Sequence, residues 1–444
     1  MTEKNPLLEG PLWKKILIFA LPLAVTSFLQ QLFSSADVAV LGMYESSNAI
    51  ASVGTTLPVI NLSVNLLVGL SVGATVAISH LIGEGKEDKV ETAVHTAMAL
   101  AILVGIVVML LWEGIGGSIL RLMGTPATII DGALSYLRVY CLGIPFLMVF
   151  NFCAAILRSA GDTKKPLYAL IVACAVNIAL NICFVKMGWG IAGVAGATVI
   201  ANIITSSIMV KFLMSYKGLL KFAPSKLCLD KQVIRKVLQV GVPAAVQGMV
   251  FSLSNIVIQA ALNSLGSQYI AASTVALNYE MWVYFLMNAF GQACVAYNGL
   301  FYGARRFDRC MEATRWCLGL DELFTNSFVL SIIIFPDFFL SFFTSDPLIK
   351  EIALQRLYII LALEWVSVVM EIVSCAMRGW GISTPPAVIT IFGVCVVRVI
   401  YVYTYFASHR TFVDLMLVYP LTWSITTAAL VGLFFYAKKN VMVK

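Results

Sequence analysis

The chain contains two copies of one apolar pattern, and this internal repeat constrains its fold more than any other sequence feature. The copies cover residues 15–166 and 236–386, so they lie about 220 positions apart. Matching positions include Lys15 with Lys236, Pro22 with Pro243, Gly83 with Gly303, Arg158 with Arg378 and Pro166 with Pro386. Self-similarity at a fixed spacing is typical of a fold built from equivalent parts. We therefore expect two similar halves.

Both copies are too apolar for a water-soluble domain. Hydrophobic residues make up 60% of the 444 positions and charged residues only 12%, whereas an average soluble domain has roughly 25% charge. Apolar runs long enough to cross a bilayer, at about 20 residues each, separate the charges. The predicted spans lie near residues 12–42, 49–79, 91–113, 131–156, 165–185, 190–215, 232–264, 269–300, 311–336, 351–377, 384–405 and 413–437. The sequence predicts an all-α integral membrane protein with about twelve transmembrane helices in two pseudo-symmetric six-helix lobes.

The charged residues predict domain boundaries and orientation. The longest polar stretch, Lys217–Lys236, falls between the sixth and seventh spans. It places an N-terminal lobe at residues 1–215, a cytoplasmic linker at 216–236 and a C-terminal lobe at 237–444. Twenty-three of the 30 lysines and arginines fall on the side of the termini, against four in the opposite loops, so the positive-inside rule puts both termini in the cytoplasm. The net charge of +7 follows from this asymmetry and requires no nucleic-acid partner.

Ionisable side chains inside the predicted spans are candidate functional residues, because charge at mid-bilayer is costly. Asp37 lies in the first span, Glu280 in the eighth, Glu364 and Glu371 in the tenth, and Arg398 in the eleventh. For Asp37, Glu280 and Glu371 a role in transport is favoured over a static ion pair. Glu364 lies closer to the extracellular side, where solvation is an alternative. Arg398 is expected to be a buried counter-ion to an acid, with Glu371 as the candidate.

The position of a residue within its span also shapes its expected role. Pro22 and Pro243 lie inside the first span of each half, where proline removes a backbone hydrogen bond and bends a helix. Matching prolines favour a hinge.

Gly69 and Gly73, four residues apart, are expected to let two helices approach closely. Asp321 falls near the predicted cytoplasmic start of the ninth span, which favours an interfacial position.

Several classes of protein are disfavoured by what the sequence lacks. It has no G-x-x-x-x-G-K-[ST] pattern for binding ATP, so an ion gradient is the remaining common energy source. Its 10 cysteines form no C-x-x-C pair and its 3 histidines have no metal-ligand spacing, so neither a zinc site nor a disulfide framework is predicted. An intramembrane enzyme would need a Ser-His pair or a histidine cluster at membrane depth, and the scattered histidines disfavour that alternative.

Short motifs occur in a fixed order along nearly the whole chain. The first half contains Phe19-Ala20-Leu21-Pro22-Leu23 leading to Ala36-Asp37, then Gly69-Leu70-Ser71-Val72-Gly73-Ala74, then Leu157-Arg158-Ser159-Ala160-Gly161-Asp162. The second half contains Tyr302-Gly303-Ala304, then Met370-Glu371 with Arg378-Gly379, then Tyr419-Pro420 with Trp423. In this order and spacing, the chain resembles the MATE (multidrug and toxic compound extrusion) family of prokaryotic type.

This resemblance implies a twelve-helix, two-lobed, V-shaped antiporter in the cytoplasmic membrane, sufficient as a monomer. Such proteins expel amphipathic, often cationic compounds in exchange for H⁺ or Na⁺. The family's N-lobe cation site would fall on Asp37, Asn177, Asn181 and Thr198, with any bound Na⁺ at Asp37. Relatives commonly carry aspartate where this chain has Asn181, and the departure mildly favours proton coupling through Asp37.

In the C-lobe, Glu280, Glu371 and Arg398 are expected to set the polarity of a cavity that attracts cationic substrates or binds a second cation. A further departure lies at Asn298-Gly299-Leu300, where relatives tend to show Gly-Gln-Asn. A flippase for lipid-linked oligosaccharides shares the two-lobed architecture and is the nearest alternative. That function usually favours a more basic cavity, whereas the candidate residues here are mainly acidic.

Overall fold

The computed structural model describes residues 9–45 and 47–441, and this part of the chain is helical and contains no strand. The first half contains α1 (Leu12–Tyr44), α2 (Ser47–Gly83), α3 (Glu87–Leu122), α4 (Ala127–Cys141), α5 (Ile144–Ser159), α6 (Lys164–Lys186) and α7 (Gly190–Met214). The second half contains α8 (Lys231–Asn263), α9 (Ser267–Gly303), α10 (Phe307–Ile334), α11 (Pro336–Leu340), α12 (Pro347–Leu361), α13 (Glu364–Gly379), α14 (Thr384–Thr390), α15 (Val397–Tyr401), α16 (Ala407–His409) and α17 (Phe412–Val441). The predicted cytoplasmic termini lie outside the described residues.

Each predicted span coincides with a helical stretch, and up to eleven of these stretches are long and apolar enough to cross a membrane. Nine stretches of the described chain are each long and apolar enough to cross a membrane. The pair α4 and α5, bent by 45°, and the pair α12 and α13, bent by 46°, each supply one further span. The 37-residue helix α9 coincides with the remaining predicted span, residues 269–300, but it is not among the stretches apolar enough to cross a membrane by composition. The predicted all-α membrane fold is confirmed.

The described residues form two compact units. The first unit is Val25–Ala245, and the second unit joins the described residues up to Ala24 with those from Val246 onward. These boundaries fall inside α1 and α8, shortly after Pro22 and Pro243. Each proline-containing helix therefore begins in one unit and ends in the other.

In the first unit, α5 packs against α2, α3 and α7, and the start of α8 crosses α2 at very short range. A Cβ atom on Gly73 would lie 2.1 Å from the carbonyl oxygen of Val237, and one on Gly69 would lie 2.3 Å from the Cα of Ala245. Since real side chains do not tolerate such distances, only glycine permits this crossing. The packing role predicted for Gly69 and Gly73 is confirmed.

In the second unit, α13 packs against α9, α10 and α17. The buried Asn298 of α9 joins three of these helices. Its Nδ2 donates to Thr314 Oγ1 of α10 at 3.1 Å, and its Oδ1 accepts a hydrogen bond from Trp380 Nε1, directly after α13, at 2.9 Å. Asn298, at which the sequence departs from the resembled family, therefore has a structural role in the core of this unit.

The repeat also shows in the turns that follow α5 and α13. Gly161 has φ 79° and its repeat counterpart Gly381 has φ 86°. In each turn the N–H of the next residue donates to a carbonyl five residues earlier, at 3.0 Å and 2.9 Å respectively. This is the helix-ending geometry in which glycine is preferred, because a Cβ disfavours left-handed backbone.

Candidate functional site

Four helices of the first unit bring together a buried polar cluster around Asp37. The carboxylate belongs to α1 and is 3% exposed. Its Oδ1 accepts a hydrogen bond from Asn181 Nδ2 of α6 at 2.7 Å, and its Oδ2 accepts one from Thr198 Oγ1 of α7 at 2.8 Å. Tyr136 of α4 donates its hydroxyl to Oδ2 at 3.2 Å. The resemblance thus named residues that the fold does place together.

Asn177 closes this cluster into a ring of hydrogen bonds. It lies one helical turn before Asn181 on α6, and its Oδ1 accepts from Asn181 Nδ2 at 3.1 Å. Its own Nδ2 donates to Thr198 Oγ1 at 3.3 Å. The buried Oδ1 of Asn181 receives no hydrogen bond. An acceptor left without a donor, beside a carboxylate, is a suitable ligand for a cation.

Asp37 forms no ion pair with any described residue, and its hydrogen-bond donors are all neutral. Among the described residues, no group of three histidine, cysteine, aspartate or glutamate side chains could hold a metal ion. The cluster therefore combines a single carboxylate with neutral oxygens. This chemistry suits a proton or a weakly bound monovalent cation better than a tightly held divalent metal.

Tyr136 was not among the residues predicted for this cluster. It is 3% exposed and belongs to the buried face of α4, with Ala133, Leu137 and Cys141. A buried tyrosine hydroxyl usually needs a hydrogen-bond partner. That need was the available signal, but it could not indicate Asp37, which lies 99 positions away in the sequence.

In the second unit, Glu280 of α9 is paired with Arg356 of α12. Glu280 Oε1 accepts from Arg356 Nε at 2.6 Å, and Oε2 accepts from Nη2 at 2.9 Å. The Arg356 side chain is 1% exposed, and its guanidinium carbon lies 5.6 Å from the centre of the Tyr419 ring. The charge of Glu280 is neutralised in this arrangement. Arg356 lies within a predicted span and was not singled out from the sequence.

Arg398 is fully buried, as expected, but the predicted pairing with Glu371 is wrong. Its Nη1 donates to Asn255 Oδ1 at 3.2 Å, and its guanidinium carbon lies 4.5 Å from the centre of the Tyr419 ring. Glu371 instead lies 3.9 Å from Arg378, on the same helix. Packing turns Arg398 toward α8 and α17, so aromatic and amide groups replace the expected acid. Two π-helical segments, Ile391–Val396 and Val402–Phe406, flank the short helix α15 that carries it.

Two further acids occupy positions that differ from those expected. Glu364 is 6% exposed and accepts from Ser367 Oγ at 2.7 Å, so it is buried and not solvated. Asp321 is 0% exposed near the middle of α10, and its predicted interfacial position is wrong. The error has a physical cause, since α10 packs against α9 and α13 and the Asp321 side chain is enclosed in the protein.

Pro22 and Pro243 lie inside α1 and α8, and both helices continue through them. Neither proline contributes a side chain to the hydrogen bonds around Asp37. Their hinge role stays a prediction.

Comparison with known proteins identifies the family. The MatE family profile matches residues 22–183 and 243–404, two segments of equal length that begin at Pro22 and Pro243. The chain belongs to the MatE family. The double match also confirms the internal repeat, because the two segments are 221 positions apart.

Relatives of this MatE protein match along most of its length. YoeA of Bacillus subtilis (strain 168), a probable multidrug resistance protein, is 28% identical over 99% of this chain and 98% of its own. NorM of Thermotoga maritima, also a probable multidrug resistance protein, is 29% identical over 87% of this chain and 84% of its own. A solved MOP superfamily transporter from Pyrococcus furiosus shares the fold, with a TM-score of 0.89 at 22% identity and 100% coverage of both chains.

Membership of this family makes the chain a multi-pass membrane transporter and not an enzyme. Small molecules are accordingly its substrates.

Proposed function

We propose that this MatE protein is a cation-coupled antiporter of the cytoplasmic membrane. It exports amphipathic, often cationic compounds by alternating access while H⁺ or Na⁺ enters, and it acts as a monomer with both termini in the cytoplasm. The observation that carries the proposal is the buried Asp37 carboxylate, which neutral donors from three other helices hold. Two relatives named as probable multidrug resistance proteins support the substrate class.

Asp37 is suited to bind and release a cation because its charge is not balanced by a basic side chain among the described residues. Burying an unpaired carboxylate is costly, and hydrogen bonds from Asn181, Thr198 and Tyr136 offset only part of that cost. A proton or Na⁺ supplies the missing positive charge. Cation binding is therefore expected to be favourable here without a preformed metal cage.

Arrival of the cation must change the hydrogen bonds that join α1 to α6 and α7. A proton on either carboxylate oxygen adds a donor there and removes the negative charge, so the hydrogen bonds from Asn181 and Thr198 become weaker. A sodium ion would instead take oxygen ligands from Asp37 and from the unsatisfied Oδ1 of Asn181. In both cases the hydrogen bonds between α1 and its neighbours differ between the cation-bound and cation-free states. A ligand can shift a conformational equilibrium only through such a difference in interactions.

The helix that carries Asp37 belongs to both units. It begins in the second unit, contains Pro22, and ends in the first unit beside α6 and α7. A change at Asp37 therefore acts on a helix that continues into the other unit. Between the two lies Pro22, which has no backbone N–H to donate to the helix. In α8 the position equivalent to Asp37 is Ile258, which is buried and apolar. Cation coupling through this ring is thus confined to one half of the repeat.

The side chains around Asp37 favour H⁺ over Na⁺ as the coupling ion. With Asn181 in place of a second acid, one carboxylate must supply the whole negative charge of the site. Fewer charged oxygens lower the affinity for a metal cation, whereas a proton needs only one carboxylate.

Ethidium efflux, measured as uptake into inverted vesicles under imposed H⁺ or Na⁺ gradients, tests this proposal. Wild-type efflux should follow one gradient, and Asp37→Asn should reduce it to the level of vesicles without the protein. The control is Asp131→Asn, which removes an exposed acid from α4 and should leave efflux unchanged. Glu371→Gln reports separately on the second unit. Gradient-driven efflux that survives in Asp37→Asn would overturn the proposed coupling.

A further inference from the structure

Asp321 is a fully buried acid of the second unit with one carboxylate oxygen unused. It lies near the middle of α10, and its Oδ1 accepts a hydrogen bond from Thr325 Oγ1, one turn later, at 2.9 Å. Its Oδ2 is buried and has no hydrogen-bond partner. Asp321 forms no ion pair with any described residue. Its environment thus supplies one neutral donor and no positive charge.

The groups that face Asp321 add further negative charge. Glu322 follows it on α10, and Glu371 and Glu364 lie on α13, which packs against α10, and act on Asp321 through their charge. Helix α9, which packs against α10, contains no lysine, arginine or histidine, and its one acid, Glu280, is already paired with Arg356 of α12. The one basic residue of α13, Arg378, lies beside Glu371 and donates to Gln247. On α10 itself, Arg315 is exposed.

An ionised Asp321 would therefore be an uncompensated buried charge among other acids. Such a charge is strongly unfavourable, and proteins avoid it by binding a proton or a counter-ion. The unused Oδ2 is the atom at which a proton can be held while Oδ1 keeps its bond from Thr325. Among the described residues no group of three histidine, cysteine, aspartate or glutamate side chains could hold a metal ion there, so a proton on Oδ2 is the simplest compensating charge.

We propose that Asp321 is a second proton-binding site of this transporter, in the second unit and separate from Asp37. Its proton exchanges during transport through the carboxyl of Glu364 on the adjacent helix α13, and this carboxyl is itself buried and hydrogen-bonded to Ser367. This inference rests on the proposed cation-coupled export. A cationic substrate that binds near Glu371 favours the ionised form of Asp321, so substrate binding and proton release are linked.

Infrared spectroscopy of the purified full-length protein can detect this proton directly. At neutral pH the wild type should show the stretching band of a protonated, buried carboxyl group. Asp321→Asn should lose that component, because the amide keeps the acceptor for Thr325 but carries no acidic proton. Glu322→Gln, a neighbouring acid held by Asn326 at 2.6 Å, is the matched control and should retain it. Asp37→Asn should retain it as well.

Proton exchange is measured separately, with a pH indicator in weakly buffered detergent solution while ethidium is added. Asp321→Asn should release about one proton fewer per molecule than the wild type, since one linked group is absent. A spectrum and a proton release equal to those of the wild type would overturn the proposal. A carboxyl band that appears in the wild type only when Na⁺ is withdrawn would overturn the assignment to a proton and indicate sodium.

A further variant keeps the proposal testable if Asp321→Asn fails to fold. Thr325→Val removes the hydrogen bond to Oδ1 and should shift the frequency of the carboxyl band without abolishing it. An unshifted band would show that the band does not arise from Asp321, against the proposal. The outcome is independent of the Asp37 experiment. Efflux that survives in Asp37→Asn would reject the coupling at the first unit, while the infrared band would still decide the protonation of Asp321.

Discussion

Removing both partners of the Glu280–Arg356 pair is expected to destabilise the protein by much less than the sum of the two single removals. The two side chains make two hydrogen bonds, at 2.6 Å and 2.9 Å. Arg356 is 1% exposed and Glu280 is 14% exposed, so water cannot replace a lost partner of Arg356. Arg356→Met should lower the free energy of unfolding by about 3–5 kcal/mol, because Glu280 is left as an unpaired buried charge.

The other two variants complete the cycle. Glu280→Gln keeps the shape and one acceptor but removes the negative charge, and should cost about 1.5–3 kcal/mol. The double variant removes both charges, so its loss should be smaller than the sum of the single losses by about 2–3 kcal/mol. The free energies come from reversible unfolding in mixed detergent micelles, with all variants measured at one protein concentration.

Arg309 and Glu312 provide the control pair. Their shortest N···O distance is also 2.6 Å, but the side chains are 25% and 39% exposed. The same cycle on this pair should give a coupling of only about 0.3–0.5 kcal/mol, as is usual for an exposed pair one turn apart. If the losses from Glu280→Gln and Arg356→Met simply add, burial does not couple these charges and the reasoning is refuted.

Two glycine substitutions test the packing and the turns. Gly73→Ala should destabilise the protein by about 1–3 kcal/mol, because its Cβ would lie 2.1 Å from Val237 O. Gly196→Ala is the control and should not destabilise it, because no atom lies within 4 Å of the added Cβ. Equal thermal unfolding temperatures of these two variants would contradict the close crossing of α2 and α8. Gly161→Ala, at φ 79°, should cost about 1–2 kcal/mol. The control is Gly319→Ala, and a Tm for Gly161→Ala at or above that of the wild type would argue against the left-handed turn.

The number and position of the membrane spans follow from the sequence, but their straightness does not. Residues 131–156 and 351–377 were predicted as single spans, and the structure bends each by 45° and 46° respectively. Pro145 follows the first bend, yet the equivalent position after the second bend is Trp365. Because both bends occur at matching places with different residues, packing within each unit and not a proline sets them.

The candidate cation site was predicted residue by residue only through a family resemblance. Composition and spacing singled out Asp37 as an acid in a membrane span, and the one-turn spacing of Asn177 and Asn181 placed them on one face of a helix. Nothing local to those residues indicated Thr198 or Tyr136, whose hydrogen bonds to Asp37 cross 161 and 99 positions of sequence. Such contacts exist only after the helices have packed.

The partners of the charged residues in the second unit were also not predictable from the sequence. The sequence marked Glu280 and Arg398 as buried charges, but it did not indicate Arg356 as the partner of the first, and it suggested the wrong partner for the second. It also placed the fully buried Asp321 at an interface. Each of these outcomes depends on how a helix is rotated about its axis, which a single apolar run does not specify.

The sequence by itself determined that this chain forms apolar helices in two repeated halves. These are local properties, since a segment of about 20 apolar residues in a bilayer must satisfy its own backbone hydrogen bonds and so becomes a helix. Only the tertiary structure decided which buried charges are neutralised and which are left for a cation. That depends on which helix faces meet, because the cost of a buried charge is set by the groups within a few ångströms of it.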